Sequence, residues 1–429
     1  MLTFIALLAL LALFMVFRMP IAFAMGLVGF FGLALQLGWR PAFAVLERAF
    51  FDSSSSFILV AIPLFILMAE LLTSGDVTRR AIFACQSWIG HVKGGLAMAT
   101  VAASVILAAL VGSSTASTAA MAASAYPEMR NHNYADRLAA AVVSVGGTLA
   151  VVVPPSIVLV VYGVLTETSI GKLFIAGIVP GLLTATGLAV VIKFIAMRTD
   201  QAPKGDPFDL GKAARASRHI IPMALLMVAV IGAIYGGIAS PSEAAALGVM
   251  GSLLIILAQR TISFSAFNRS VSGAIRATVM IVTIVTCSAI FANYLVFTRI
   301  THSLLEFTST TELPREAILI FMVLILLVMG MFMDQLAILS LSMPLAFPTA
   351  MALGYDPIWF GIVVTKTVEI GLLTPPLGLN AYVASAQTGV PLRTIFKGVV
   401  PFLLMEVLVL VLLLCFPQIT LWLPSLMLK

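Results

Sequence analysis

Slid 221 positions along itself without a gap, the chain brings Pro20 onto Pro241, Pro127 onto Pro348, Pro154-Pro155 onto Pro375-Pro376 and Pro180 onto Pro401. At the same offset Arg48 meets Arg269, Tyr134 meets Tyr355 and Gly177 meets Gly398. Nine prolines in the first half and twelve in the second would give roughly half a coincidence at one fixed offset by chance. Proline removes a backbone donor and clashes with the preceding turn. A repeated set of breaking positions therefore constrains the chain to two copies of one helical plan.

That plan is built for lipid. Hydrophobic residues make up 61% of the 429 positions, only 10% are charged, and the mean hydropathy is +1.13. A soluble chain of this length needs a far more charged surface. Apolar runs of spanning length recur at 20–37, 57–72, 94–111, 138–165, 173–196, 219–237, 241–258, 277–297, 317–333, 358–386 and 398–416. The apolar opening, predicted as a helix over 2–17, is followed by Arg18 and has no basic leading region, so it reads as a helix and not a cleaved signal. An apolar chain with an internal repeat of breaking positions carries the mark of a secondary transporter. The net charge of +6 fits positive-inside anchoring, not nucleic-acid binding. Cys85, Cys287 and Cys415 fit no metal or redox spacing and the four histidines are scattered, so no transition-metal site is expected.

The expected fold class is an all-α polytopic membrane protein of two repeats, residues 1–197 and 219–429, joined by a linker over 198–218. Each repeat is predicted to hold about five spanning helices, one re-entrant hairpin (94–127 and 317–350) and one broken helix (133–165 and 357–386). An odd number of crossings turns the second repeat upside down relative to the first. Residues 41–52, 76–92 and 263–275 are amphipathic and expected to lie along the interface as arms. The linker holds five Lys/Arg and is placed in the cytoplasm. Arg18, Arg79, Arg80, Lys93, Arg130, Arg137, Arg260, Arg269, Arg276, Arg393 and Lys397 then fall on the same side. Arg40, Arg48, Lys172, Arg299, Arg315, Lys429 and both termini fall outside.

The polar residues cluster at the breaks. The first hairpin junction, Gly112-Ser113-Ser114-Thr115-Ala116-Ser117-Thr118, has five hydroxyls in seven residues. Unwound backbone carbonyls and hydroxyls there can replace the hydration shell of an ion, although small residues also serve close helix packing. Val153-Pro154-Pro155-Ser156 and Thr374-Pro375-Pro376-Leu377 each interrupt a long apolar span. Irregular backbone at that depth survives only where it is enclosed or lines a site. Thr148, Ser156, Thr374, Gly378 and Asn380 lie near these breaks. The second junction, Gly330-Met331-Phe332-Met333-Asp334-Gln335, replaces the hydroxyl run with an acid. Asp334 reads equally as a functional intramembrane acid and as a helix cap. Lys366 and Glu369 are spaced to pair on one helix face, and Glu243 reads as a first-turn acid.

Together these residues resemble the large membrane subunit, DctM type, of the tripartite ATP-independent periplasmic (TRAP) transporters, in the ion transporter superfamily. The resemblance rests on Ala61-Ile62-Pro63-Leu64-Phe65-Ile66-Leu67, the Gly112–Thr118 tip, Pro154-Pro155-Ser156-Ile157, Ile178-Val179-Pro180-Gly181, Pro241-Ser242-Glu243-Ala244-Ala245 and Thr374-Pro375-Pro376-Leu377-Gly378. It covers essentially the whole chain.

The resemblance implies a sodium-driven importer of organic anions such as C4-dicarboxylates or sugar acids, in a bacterial or archaeal inner membrane. It implies a periplasmic substrate-binding protein and a small four-helix membrane subunit, and an elevator motion of a transport domain against a scaffold. The chain starts directly with the large-subunit pattern, so the small subunit is expected as a separate polypeptide. Na+ is implied as coupling ion, with no organic cofactor. One Na+ would lie among Gly112, Ser113, Thr115, Ser117, Thr148 and Pro154, and a second among Met333, Asp334, Thr374, Pro375 and Gly378. Substrate would meet Ser113, Ser114, Ser156, Asp334, Gln335 and Asn380.

Two other readings remain open at this point. A stand-alone dicarboxylate or citrate carrier of the same plan would work without a binding protein. An intramembrane enzyme using a tip serine would need a base within reach, and Lys366 is the one basic residue in a matching span.

Overall fold

The structure, a computed structural model, describes residues 19–73, 77–203, 207–218, 220–259, 263–300 and 313–427, with Leu10, Leu13, Phe14, Phe17, Gly205, His302 and Glu306. The helix expected over 2–17, with Arg18, Arg260 and Lys429, lies outside the described residues except at those isolated positions.

Nineteen α-helices and no strand are found among the described residues. The first half runs α1 (Ile21–Leu37), α2 (Trp39–Ser55), a 3₁₀ turn (Phe57–Val60), α3 (Ala61–Thr73), α4 (Val77–Ile89), α5 (Gly95–Val111), α6 (Ser114–Asn131), α7 (Asp136–Val152), α8 (Ile157–Leu165) and α9 (Ile170–Arg198). A short α10 (Leu210–Ser217) lies in the linker. The second half runs α11 (Ile221–Tyr235), α12 (Pro241–Ala258), α13 (Phe264–Phe297), α14 (Arg315–Gly330), α15 (Gln335–Ala352), α16 (Pro357–Gly371), α17 (Leu379–Thr388), α18 (Leu392–Cys415) and α19 (Gln418–Ser425).

Helix boundaries follow the offset read from the prolines. Adding 221 to the ends of α6 gives 335 and 352, the ends of α15. The starts of α7 and α16 differ by the same 221, from Asp136 to Pro357. Local chemistry sets these starts. Ser240 and Glu243 form a reciprocal capping box with Pro241 in the first turn of α12, which accounts for Glu243. Asp356 caps α16 just before Pro357.

Two details depart from the expected plan. Residues 263–275 are not a separate arm but the first turns of the 34-residue α13. In the first half the corresponding stretch ends with α2 at Ser55, and the chain then passes into the 3₁₀ turn. Among the described residues six elements are long and apolar enough to cross a bilayer unaided, counting Asp136–Leu165 as one. At 17 residues α1 and α5 reach only about 26 Å, short of a hydrocarbon core about 30 Å thick.

The elements pack so that each hairpin lies against its own half's broken helix and also against the other half's. The first hairpin, α5–α6, packs on α7 and on α17; the second, α14–α15, packs on α16 and on α8. Around them α1, α2 and α13 build a separate apolar cluster that includes Met25, Leu33, Phe291 and Leu295. The linker is tied down through its backbone, with Gly94 N–H donating to Pro203 O and Ala135 N–H to Gln201 O. Where α14 meets α16, Gly330 faces Gly371; a Cβ built on Gly371 would sit 2.6 Å from the Gly330 Cα. Replacing Gly371 with Val should force the second hairpin outward at a cost of about 1–3 kcal/mol. A lowered thermal midpoint of the detergent-purified protein, beside one not lowered for Gly232→Ala, whose Cβ would meet open space on α11, is the expected outcome.

Candidate functional site

The two breaks close their own backbone with their own side chains. At the first, α7 ends at Val152, and Ser156 both donates its hydroxyl to Val151 O at 2.6 Å and accepts from Leu159 N–H at the start of α8. At the second, Thr374 donates to Ile370 O at 2.7 Å and Asn380 N–H reaches Leu372 O. Both Pro-Pro bonds, Pro154-Pro155 and Pro375-Pro376, are cis. Their surroundings differ. Pro154, Pro155 and Ser156 are buried beneath Ile62, Phe65 and Ala69 of α3, whereas Pro375, Pro376 and Leu377 are exposed.

The hydroxyl tip lies against both halves. Gly112 ends α5 beside Ile157 of the first break. Asn380, at the start of α17, donates its side-chain amide to the Ser114 hydroxyl at 2.6 Å, with both residues fully buried. Ser113 and Thr115 face each other at 3.4 Å, while the Ser117 and Thr118 hydroxyls and Asn380 Oδ1 are buried without a hydrogen-bond partner. Buried polar atoms are rarely left unpaired, so these orphaned oxygens are where a water or a bound ion would supply the partner. The donor set is all oxygen, which suits a hard cation and not a soft one.

The second tip is made otherwise. Asp334 caps α15, accepting from Leu336 N–H at 3.2 Å, and so fills the cap role read for it. Gln335 is 3% exposed and its Oε1 has no partner. The repeat accounts for that orphan. Subtracting 221 places Gln335 on Ser114 and Asn380 on Leu159. The packing of α15 on α8 repeats that of α6 on α17, but an apolar Leu159 stands where an amide is needed. Met333 is buried beside the tip.

Thr148 follows Gly147, which packs on Thr118 of the tip. Its hydroxyl donates to Val145 O at 2.8 Å and faces Glu369. Lys366 pairs with Glu369 at 3.0 Å and is fully buried, which leaves no free base in reach of the tip serines. Glu406 and Thr184 complete this group and were not singled out from the sequence. The available signal was an acid inside the apolar run 398–416. A cavity of about 870 Å³ between α2, α8, α9, α12 and α13 is lined by Asp52, Glu167, Ser242 and Asn293 and by none of the tip or break residues.

Helices of spanning length, two interrupted in mid-membrane and two meeting at polar tips, define a multi-pass membrane transport protein. Over residues 8–419 the chain matches the tripartite ATP-independent periplasmic transporter DctM component, and it belongs to that family. It is 38% identical over 376 residues to the C4-dicarboxylate TRAP transporter large permease protein DctM of Pseudomonas aeruginosa, covering 87% of this chain and 88% of the relative. It is 36% identical to the ectoine TRAP transporter large permease protein TeaC of Halomonas elongata, covering 86% of each. Its fold is similar to the crystal structure of the Alcanivorax borkumensis YdaH transporter, with a TM-score of 0.63 at 15% identity over 90% of both chains. The chain is thus a large permease subunit and not an enzyme. The family implies a substrate-binding protein and a small membrane subunit beside it.

The Asn380–Ser114 bond is the one polar link between the two halves at the tips. Asn380→Ala leaves the Ser114 hydroxyl buried and unpaired, a penalty of about 1–3 kcal/mol. Uptake should fall by about tenfold or more at an unchanged membrane level of the chain; wild-type uptake would remove this bond from the site.

Proposed function

We propose that this chain is the sodium-coupled permease of a TRAP system in an inner membrane, importing an organic acid delivered by a periplasmic binding protein. The two halves are inverted repeats, the linker lies in the cytoplasm and both termini lie outside. A group holding both hairpins and both broken helices moves as an elevator against the remaining helices.

The observation that carries the anion reading is a pair of helix N-termini with no side-chain cap. Ser113 precedes α6 and Gly378 precedes α17 without a side-chain cap, the Asn380 N–H being spent on Leu372 O, and the Ser114–Asn380 bond holds these two starts together. Free N–H groups at a helix start favour a negative charge. The other two starts are occupied, α8 by Ser156 and α15 by Asp334. Among the described residues no Lys or Arg is free at either tip or break. A carboxylate is therefore held by backbone donors, with the Gln335 amide oxygen, an acceptor, left open opposite. The relatives' names span a dicarboxylate and ectoine, so the reading names an organic acid and not one molecule.

Sodium enters as a second transported species. The orphaned Ser117 and Thr118 hydroxyls and Asn380 Oδ1 supply oxygen ligands at the first tip, and Thr374 lies at the second break. Thr115→Val, Ser117→Ala and Thr374→Val should each raise the Na+ concentration for half-maximal uptake by about threefold or more. Unchanged sodium dependence in all three would take these residues out of the ion sites. In liposomes holding the permease with its small subunit, uptake should require both an inward Na+ gradient and the loaded binding protein. Full-rate uptake with no soluble partner would favour a stand-alone carrier instead.

A further inference from the structure

Among the described residues only three charged side chains are buried, and all three meet at one point. Lys366 and Glu369 lie on α16 and Glu406 on α18, each 0% exposed. The Lys366 ammonium donates to Glu369 Oε2 at 3.0 Å, to the Thr184 hydroxyl of α9 at 2.8 Å and to Glu406 Oε2. Thr184 gives its own proton to Pro180 O, so its lone pairs are free for the ammonium. Across from α16, Thr148 of α7 faces the Glu369 carboxylate.

The position of this group is as informative as its chemistry. α7 and α16 lead into the two breaks, and α9 and α18 follow the broken segments in each half. One ammonium and its carboxylates thus touch all four flanking helices. Thr148 and Glu369 are also repeat mates, since 369 − 148 = 221. A residue packs on its own repeat mate only where the two halves face each other. Stability alone does not account for the cluster, because well-packed apolar residues commonly replace a buried ion pair at no loss. Three donors on one nitrogen, aimed at three fixed acceptors, instead specify one relative placement of the helices.

Resting on the sodium-coupled reading above, we propose that Lys366, Glu369, Glu406 and Thr184 form a positioning cluster that couples the two breaks, so that an ion entering one prepares the other and the two fill together. The cluster touches neither ion. It acts by holding α7, α9, α16 and α18 in a single arrangement, and the two ion sites share that arrangement.

The test uses the permease with its small subunit and binding protein in liposomes, and follows uptake against Na+ concentration. Wild type should show a Hill coefficient above one. Glu406→Gln keeps the shape of the side chain and removes its charge, and Thr184→Val removes one acceptor; the latter serves should the former not fold. Either variant should bring the Hill coefficient down to about one and raise half-maximal Na+ about threefold or more, with maximal uptake reduced less than about twofold. Amide hydrogen exchange of the same variants should show loss of protection around Pro154-Pro155 and around Pro375-Pro376 together. A folded variant with a wild-type Hill coefficient, or with faster exchange confined to α18, overturns the proposal while leaving sodium coupling intact. A wild type whose uptake ignores Na+ overturns both.

Discussion

In hydrocarbon a backbone amide has no water to turn to, so an interrupted helix stands only if protein supplies the missing partners. The two Pro-Pro breaks impose this demand twice, and much of the architecture answers it. Ser156 spends its hydroxyl on Val151 O and its lone pair on Leu159 N–H. Thr374 and the Asn380 N–H satisfy the carbonyls ahead of the second break. At the first break Gly112 of the hairpin tip packs on Ile157, while at the second Gly330 packs on Gly371 and leaves Pro375, Pro376 and Leu377 exposed. The hairpin arms also reach across to the partner half.

The same demand explains why close backbone packing recurs around the breaks. Gly330 and Gly371 bring α14 and α16 together with no room for a Cβ three residues before Thr374. Small residues drive helix association in membranes, where lipid competes equally for apolar side chains. Large side chains lie on both sides of this packing: Tyr162 and Phe360 are fully buried on α8 and α16, while Phe31, Trp39, Phe43, Leu254 and Phe321 are exposed, as expected where the solvent is lipid. Small residues concentrate on α6 and α7.

Much of this was legible because proline and hydropathy act locally. The hairpins, the breaks and the offset between halves follow from where a helix must stop, and such stops are written in single residues. The family resemblance rested on the same residues. What the sequence left out depends on contacts between distant segments. The Lys366–Glu369 pair was readable from its spacing on one helix, but Glu406 lies 40 residues from Lys366 and joins them only through packing. Asn380 was marked as polar near a break, yet its bond to Ser114, 266 positions away, had no local sign. The amphipathic stretch 263–275 misled for a related reason. Amphipathicity describes a face and does not say whether the helix stops, and nothing in that stretch stops it.

The departures from symmetry are where the two halves acquire different chemistry. A repeat places the same backbone twice, so differences must come from side chains at matched positions. At one interface Asn380 meets Ser114 and the amide is spent; at its mate Leu159 stands opposite Gln335 and an amide carbonyl is left over. At one pair of helix starts Ser113 and Gly378 give no side-chain cap, although the Asn380 N–H is spent on Leu372 O; at the other Ser156 and Asp334 supply caps. An uncapped helix start attracts an anion, whereas one capped by a carboxylate has already met its negative charge. On the proposed reading, the α6–α17 pair is therefore the electropositive side of the site and Asp334 its electronegative side. A solute held between them would be oriented by that difference before any single contact identified it.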